Sequence, residues 1–117
     1  MLSTKFENST IFILMDKDLI IAKLREHEVE LRAVGAEHVS IFGSVSRGDA
    51  TAESDLDILV KFSEPVIQSG FGYFSAVEDL RTLITKITGA NSVDIVAEPL
   101  QRERFRLNVE RDRANAY

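Results

Sequence analysis

The chain has 117 residues, of which 44% are hydrophobic and 28% are charged, as is ordinary for one globular domain. This length suffices for a real core but not for a second lobe, so we expect an enzyme of this size to find its acceptor on another molecule. A net charge of −5 argues against general nucleic-acid binding, which usually needs a basic excess. Zero cysteines exclude disulfides and thiolate metal sites and are consistent with the cytoplasm, the location we expect.

Residues 1–15 are interpreted as an N-terminal extension that precedes the domain. Ile11–Met15 is apolar, but it is far shorter than the roughly 20 residues that a membrane helix needs. The segment also lacks the basic region and the small-residue cleavage site of a secretory signal. It is either an added edge strand or an unstructured extension, and we expect no membrane association.

The next segment predicts one long helix that packs on a sheet. Asp16 or Asp18 can cap its first turn, and Gly35 can end it in a left-handed conformation. One stripe recurs at helical spacing between these ends and consists of Ile20, Leu24, His27, Leu31 and Val34. His27 lies within the stripe and His38 opens the following strand. Neither histidine has a catalytic partner at a recognisable spacing, so structural roles are favoured over general-base roles.

Two short strands and a glycine turn follow. Val39–Phe42 is β-branched and aromatic, Gly43 interrupts it, and Asp55–Phe62 begins by alternating carboxylates with apolar residues. With a period of two, one face carries Asp55, Asp57 and Leu59, and the other carries Leu56, Ile58 and Val60. The Cα atoms of Asp55 and Asp57 are then roughly 6.6 Å apart.

Two carboxylates at this spacing favour a bound cation, because like charges repel and lose solvation. Mg²⁺ prefers oxygen ligands and is usually held by one or two carboxylates plus substrate phosphates. Gly43 can adopt backbone angles that other residues cannot, and if Ser44 opens a short helix, its N–H groups and hydroxyl would face an anion. The stretch therefore predicts a magnesium site beside a phosphate site.

A loop, a helix and a third strand are predicted after the second strand. Gln68–Gly72 reads as a loop that either closes over a base or simply connects two elements. A capping box of Ser75 and Glu78 predicts the start of a helix that ends at Gly89. Ser92–Val96 then predicts a third strand with a lone carboxylate, Asp94. That carboxylate either faces solvent or is a third ligand in the metal site.

The C-terminal segment predicts an arginine-rich helix with Pro99 in its first turn. Leu100 and Leu107 share one side, while Phe105 and Val109 lie nearly opposite. One side can face the core and leave the other for a partner, which would put Phe105 and Val109 on a docking surface. The alternative is a frayed end whose arginine stems cover apolar surface.

The turn and the second strand together contain a specific pattern, Gly43-Ser44-x-x-Arg47-Gly48-x5-Ser54-Asp55-x-Asp57. It resembles the signature of the nucleotidyltransferase superfamily that includes DNA polymerase β, and it is most similar to the minimal nucleotidyltransferase (MNT) domain. The resemblance covers residues 16–117 and implies an α/β fold, with a small mixed sheet and flanking helices. Ser46 stands where alanine is frequent in the family, and we expect no functional consequence.

The resemblance implies transfer of a nucleoside monophosphate from a Mg²⁺-bound nucleoside triphosphate to a hydroxyl. It assigns Asp55, Asp57 and Asp94 as catalytic metal ligands. Asp55 and Asp57 would bridge two Mg²⁺ ions. Asp94, which the residue pattern alone leaves open, would hold the catalytic ion and help deprotonate the acceptor.

The same resemblance assigns the nucleotide phosphates to the turn. Gly43 and Ser44 would grip the triphosphate, and Arg47 would reach a phosphate as well. A salt bridge from Arg47 to Asp49 or Glu53 is an equally good interpretation of the arginine.

The implied partner is a HEPN toxin, a helical ribonuclease-type protein. Proteins that resemble this chain can neutralise such a toxin by adding AMP to one of its tyrosines, as a type VII-like antitoxin does. This implied reaction favours ATP as the nucleotide. Two alternatives remain: a non-catalytic antitoxin that masks its toxin, and a small-molecule nucleotidyltransferase, which is weakened by the missing acceptor-binding lobe. Either a homo-oligomer or a hetero-oligomer is compatible with the sequence.

Overall fold

The computed structural model describes residues 16–51, 53–100 and 103–117. The two interpretations of Ile11–Met15 lie outside the described residues. Among the described residues, no helix is long and apolar enough to cross a membrane.

A four-stranded mixed sheet forms the centre of the fold, in the order β3-β2-β1-β4. Its strands are β1 (Ala36–Phe42), β2 (Leu56–Phe62), β3 (Val93–Ala97) and β4 (Ala114–Asn115). β1 is antiparallel to β2 and β4, whereas β2 and β3 are parallel. The helices are α1 (Lys17–Glu26), α2 (Glu28–Ala33), α3 (Gly43–Arg47), α4 (Glu64–Ile67), α5 (Phe71–Thr88) and α6 (Glu103–Asp112). The predicted α/β class, a mixed sheet with flanking helices, is confirmed.

The main core lies on one side of the sheet, which we call the core face and define by Leu56, Ile58 and Val60 of β2. These three side chains are almost completely buried, as the predicted alternation requires. They belong to one cluster with apolar residues of α1 and α5: Ile20, Leu24, Ala76, Leu80 and Ile84. Each fully buried aliphatic side chain of this kind contributes about 1.5–3 kcal/mol, so this face supplies most of the stability.

The opposite side of the sheet, the carboxylate face, is the side of β2 that bears Asp57 and Leu59. A smaller cluster of Phe42, Leu59 and Val109 covers part of it. The ring of Phe42 also meets the ring of Phe105 edge to face, with centroids 6.1 Å apart. Helix α6 therefore packs on this face through Val109 and Phe105.

This packing corrects the expected orientation of α6. Val109 is 1% exposed and Phe105 contacts the sheet, whereas Leu107 on the other side is 56% exposed. The assignment of Phe105 and Val109 to a docking surface is therefore wrong for Val109. Helical spacing separates the two sides of a helix correctly, but it does not indicate which side meets an apolar sheet.

Several predicted helix boundaries also differ from the structure. The long N-terminal helix is interrupted at His27, whose Nδ1 lies 3.0 Å from Glu30 Oε2, in line with a structural role. Asp16 is its N-cap and accepts a hydrogen bond from the Leu19 N–H at 3.1 Å.

Helix α5 begins at Phe71 instead of Ser75, so the predicted loop is shorter and the capping box does not form. Tyr73 packs on Phe62 with ring centroids 5.5 Å apart, and this contact holds the additional turn. Pro99 lies in the irregular segment between β3 and α6, and it is not in the first turn of a helix as predicted.

Candidate active site

The turn between β1 and α3 is shaped by Gly43. This residue follows the last residue of β1 directly and begins α3, with a φ of +74°. A Cβ atom placed on Gly43 would overlap the Asp57 carboxylate and would stand 3.2 Å from its Cγ. Only glycine satisfies both the backbone angle and the close approach. The short helix that the phosphate-site interpretation requires is present, and it begins at Gly43, one residue before Ser44.

Sheet pairing brings two of the predicted carboxylates together. Asp57 of β2 is in register with Asp94 of β3, and on its other side it is in register with Phe42 of β1. Since neighbouring strands lie about 4.8 Å apart and paired side chains point to the same face, Asp57 and Asp94 are adjacent on the carboxylate face. Asp55 immediately precedes β2 and is exposed.

The electrostatics show that these carboxylates share one environment. Burial raises the pKa of Asp57 to about 6, and the negative charges of Asp94 and Asp55 contribute to the rise. The positive charge of Arg47 acts in the opposite direction. A nearby cation would therefore favour the charged form of Asp57.

The residues present fit the chemistry of Mg²⁺. In the part of the chain that the structure describes, none of the three carboxylates accepts a hydrogen bond or forms a salt bridge. Within those same residues, no three potential ligand side chains converge into a ready-made metal cluster. Like charges repel one another when no cation lies between them. The donors are hard oxygens, and the missing side chain of Gly43 lets the Asp57 carboxylate lie directly against the backbone of the turn.

Arg47 is engaged by two carboxylates of the protein. Its Nε lies 3.1 Å from Asp49 Oδ2, and its Nη1 lies 2.8 Å from Asp112 Oδ2. The first contact matches the salt bridge that the sequence offered as an alternative. Contact of Arg47 with a phosphate stays a prediction.

Asp112 and Ser46 lie in this region, although the sequence indicated no role for either residue. The Ser46 hydroxyl donates a hydrogen bond to the main-chain carbonyl of Asp112, so the residue expected to have no consequence connects α3 to α6. Hydrogen bonds from Arg111 and Arg47 hold the pKa of Asp112 below its usual range. A separation of 65 residues between Arg47 and Asp112 leaves no local pattern from which to predict the pair.

Comparison with known proteins identifies the family of the chain. Residues 21–113 match the nucleotidyltransferase domain family. A Methanocaldococcus jannaschii protein named "Putative protein adenylyltransferase MJ1379" is 30% identical over 90 residues, which cover 76% of this chain and 86% of the relative. Protein adenylyltransferase MntA of Thermococcus cleftensis is 48% identical over 42 residues, covering 35% of this chain and 42% of that protein.

A solved structure gives the same result at the level of the fold. A protein described as "putative minimal nucleotidyltransferase" is 35% identical, with a TM-score of 0.62, and the similarity covers 85% of this chain and 94% of that one. The family match spans most of the sequence and includes the turn at Gly43 and both paired aspartates. This chain therefore belongs to the nucleotidyltransferase domain family, and it is an enzyme of nucleotidyl transfer.

Proposed function

We propose that this enzyme is a Mg²⁺-dependent protein adenylyltransferase of the cytoplasm that transfers AMP from ATP to a hydroxyl group of a protein partner. The observation that carries the proposal is the placement of Asp57 beside Asp94 and against the bare backbone of Gly43. A phosphate-binding turn and metal-binding carboxylates thus meet at one end of β2. Two relatives whose names describe protein adenylyltransferases support a protein as the acceptor.

The carboxylates have distinct roles in this proposal. Asp55, Asp57 and Asp94 hold Mg²⁺, which when bound would neutralise charge on the phosphates and on the attacking oxygen. Asp94 is exposed at the edge strand of the sheet and can reach a second molecule. It accepts the proton of the acceptor hydroxyl as that oxygen forms its bond to the α-phosphorus. The bond from the α-phosphorus to the bridging oxygen breaks, and pyrophosphate leaves.

The turn binds the other end of the nucleotide. Backbone N–H groups at Gly43 and Ser44, together with the Ser44 hydroxyl, hydrogen-bond to the triphosphate oxygens. This places the α-phosphorus between the triphosphate tail and the metal-binding carboxylates, so that the acceptor oxygen approaches from the side of β3. Positioning of this kind supplies a large part of the rate in phosphoryl-type transfer.

The proposed acceptor is a tyrosine of a HEPN toxin, which makes this chain a type VII-like antitoxin. Exposed aromatic side chains at the start of α5 offer apolar surface for protein contact, since Phe71 is 90% and Phe74 is 68% exposed. Adenylylation of the tyrosine would add bulk and negative charge to the toxin.

Loss of one carboxylate separates transfer from simple masking. Asp57→Asn keeps the size of the side chain but removes its charge, so metal binding should weaken, and transfer should fall at least about 100-fold. The measurement is the intact mass of a partner co-expressed from the neighbouring gene, together with rescue of growth. Asp79→Asn, which neutralises an exposed carboxylate on α5, serves as the control and should behave as wild type. Equal rescue of growth by wild type and Asp57→Asn, with no gain of mass in the partner, would show that the chain neutralises the partner by binding alone.

Gly43, the first residue of α3, and Gly48, which caps its C-terminal end, provide a matched pair of variants. Gly43 and Gly48 both have positive φ, so alanine at either position should cost roughly 1–2 kcal/mol of unfolding free energy. Only at Gly43 does the new Cβ meet the Asp57 carboxylate, whereas nothing lies within 4 Å at Gly48. Gly43→Ala should therefore lower transfer by about 100-fold, and Gly48→Ala should retain most of it. Similar transfer rates for the two variants would contradict the assigned role of Gly43.

The raised pKa of Asp57 predicts how stability depends on pH without metal. Its folded-state pKa of about 6 lies above the unfolded value of roughly 4, so the native state holds the proton more tightly. Stability from this group is complete below about pH 4 and is lost as pH rises through about 6.

This contribution should disappear in Asp57→Asn. The unfolding free energy of the variant, relative to wild type, should rise by about 1–2 kcal/mol between pH 4 and pH 7.5, after allowance for solvent screening. Urea unfolding in the presence of a chelator measures the difference. If the difference in unfolding free energy is constant across this pH range, the pKa of Asp57 is not raised in the folded state.

A further inference from the structure

Helix α6 makes contacts next to both ends of α3, the short helix that follows the active-site turn. Next to the start of α3, Phe42 meets Phe105 of α6. At the end of α3, Arg47 forms its 2.8 Å salt bridge with Asp112, and the Ser46 hydroxyl donates to the Asp112 carbonyl. The last residue of α6 thus holds the last two residues of α3.

The Asp112 contact is the better-shielded part of this arrangement. The Asp112 side chain is 9% exposed, although Arg47 and Asp49 are much more open to solvent. Arg111 also donates to Asp112, at 3.2 Å, so both carboxylate oxygens have a partner. A shielded carboxylate with two charged donors is held more firmly than an exposed ion pair.

Helix α3 needs such support because it has only five residues. A single turn of helix is not stable alone, so its position depends on what holds its two ends. Its first residue lies against Asp57, and Val45 in its middle is fully buried. A shift of α3 by about an ångström would move Gly43 and Ser44 relative to the carboxylates, and shifts of that size have large effects on catalysis.

We propose that Asp112 is a positioning residue for the nucleotide site: it holds Ser46 and Arg47 and thereby sets the placement of Gly43 and Ser44 against the triphosphate. Arg47 then acts on the nucleotide through Asp112 and α3 and not by direct contact with a phosphate. The inference rests on the proposed function for the identity of the ligand, Mg²⁺-ATP.

The test uses the full chain and Mg²⁺-ATP as the probe. Asp112→Ala should raise the dissociation constant about tenfold, which corresponds to about 1.4 kcal/mol. The matched control is Glu110→Ala, which breaks the 3.1 Å ion pair from Glu110 of α6 to Arg113 but leaves α3 untouched. This control should bind as wild type does. If Asp112→Ala does not fold, Asp112→Asn keeps the size of the side chain and removes its charge.

A double-mutant cycle distinguishes positioning from direct phosphate binding. Under the proposal, Arg47→Ala and Asp112→Ala disrupt the same contact. The dissociation constant of the double variant for Mg²⁺-ATP should therefore be no higher than that of the single variant with the larger effect. Additive losses would show that Arg47 acts on the nucleotide independently and would overturn the inference. An unchanged dissociation constant in Asp112→Ala, or an equal loss in Glu110→Ala, would overturn it as well.

A second measurement needs no nucleotide. The N–H groups of Gly48 and Asp49 donate to the carbonyls of Val45 and Ser44 and close α3. Their hydrogen exchange should accelerate in Asp112→Ala and stay unchanged in Glu110→Ala. If wild type binds no nucleoside triphosphate with Mg²⁺, the proposed function fails. Unchanged exchange at these two amides would separately refute the hold of the Asp112 side chain on α3.

Discussion

The close approach of the Gly43 backbone to the Asp57 carboxylate is the constraint on which the rest of the site depends. Antiparallel pairing places Phe42 opposite Asp57, and the chain turns into α3 at the next residue, Gly43. A side chain at Gly43 would displace the carboxylate, and a residue other than glycine would strain the turn. The sheet therefore sets the position of the carboxylate, and the glycine allows the turn that we propose to bind phosphate to lie directly beside it.

The fold divides stability and function between the two sides of the sheet. The core face is filled by aliphatic side chains of β2, α1 and α5, which are nearly inaccessible to solvent. Among the described residues, the carboxylate face has a smaller apolar cluster beneath α6, and it also bears Asp57 and Asp94. Like charges in register destabilise the metal-free protein, and the apolar burial on the other face offsets this cost.

Local patterns predicted the parts of the structure that local physics determines. Alternation along β2 separated Leu56, Ile58 and Val60 from Asp57 correctly, because the period of a strand is independent of its neighbours. The glycine turn was likewise predictable from the residues around Gly43. Pairing of Asp57 with Asp94 was not, since strand order and register depend on the whole chain, and only the family resemblance indicated Asp94.

Tertiary contacts explain the predictions that failed. Val109 is buried because Phe42 and Leu59 present apolar surface to it, which no pattern within α6 indicates. The first turn of α5 forms because Tyr73 packs on Phe62, although glycines surround it in sequence. Asp112 reaches α3 from the far end of the chain, and Ser46 acquires its role only through that contact.

Binding of a paramagnetic ion tests the central claim most directly, namely that Asp55, Asp57 and Asp94 bind a divalent metal beside the turn at Gly43. Mn²⁺ with ATP, added to the isotope-labelled chain, broadens the nuclear magnetic resonance signals of nearby backbone amides. If these carboxylates bind the metal, the broadening will be strongest at Gly43, Ser44, Asp57 and Asp94, and it will be lost in Asp57→Asn. Broadening centred on another acidic part of the surface, or no localised broadening, would contradict it.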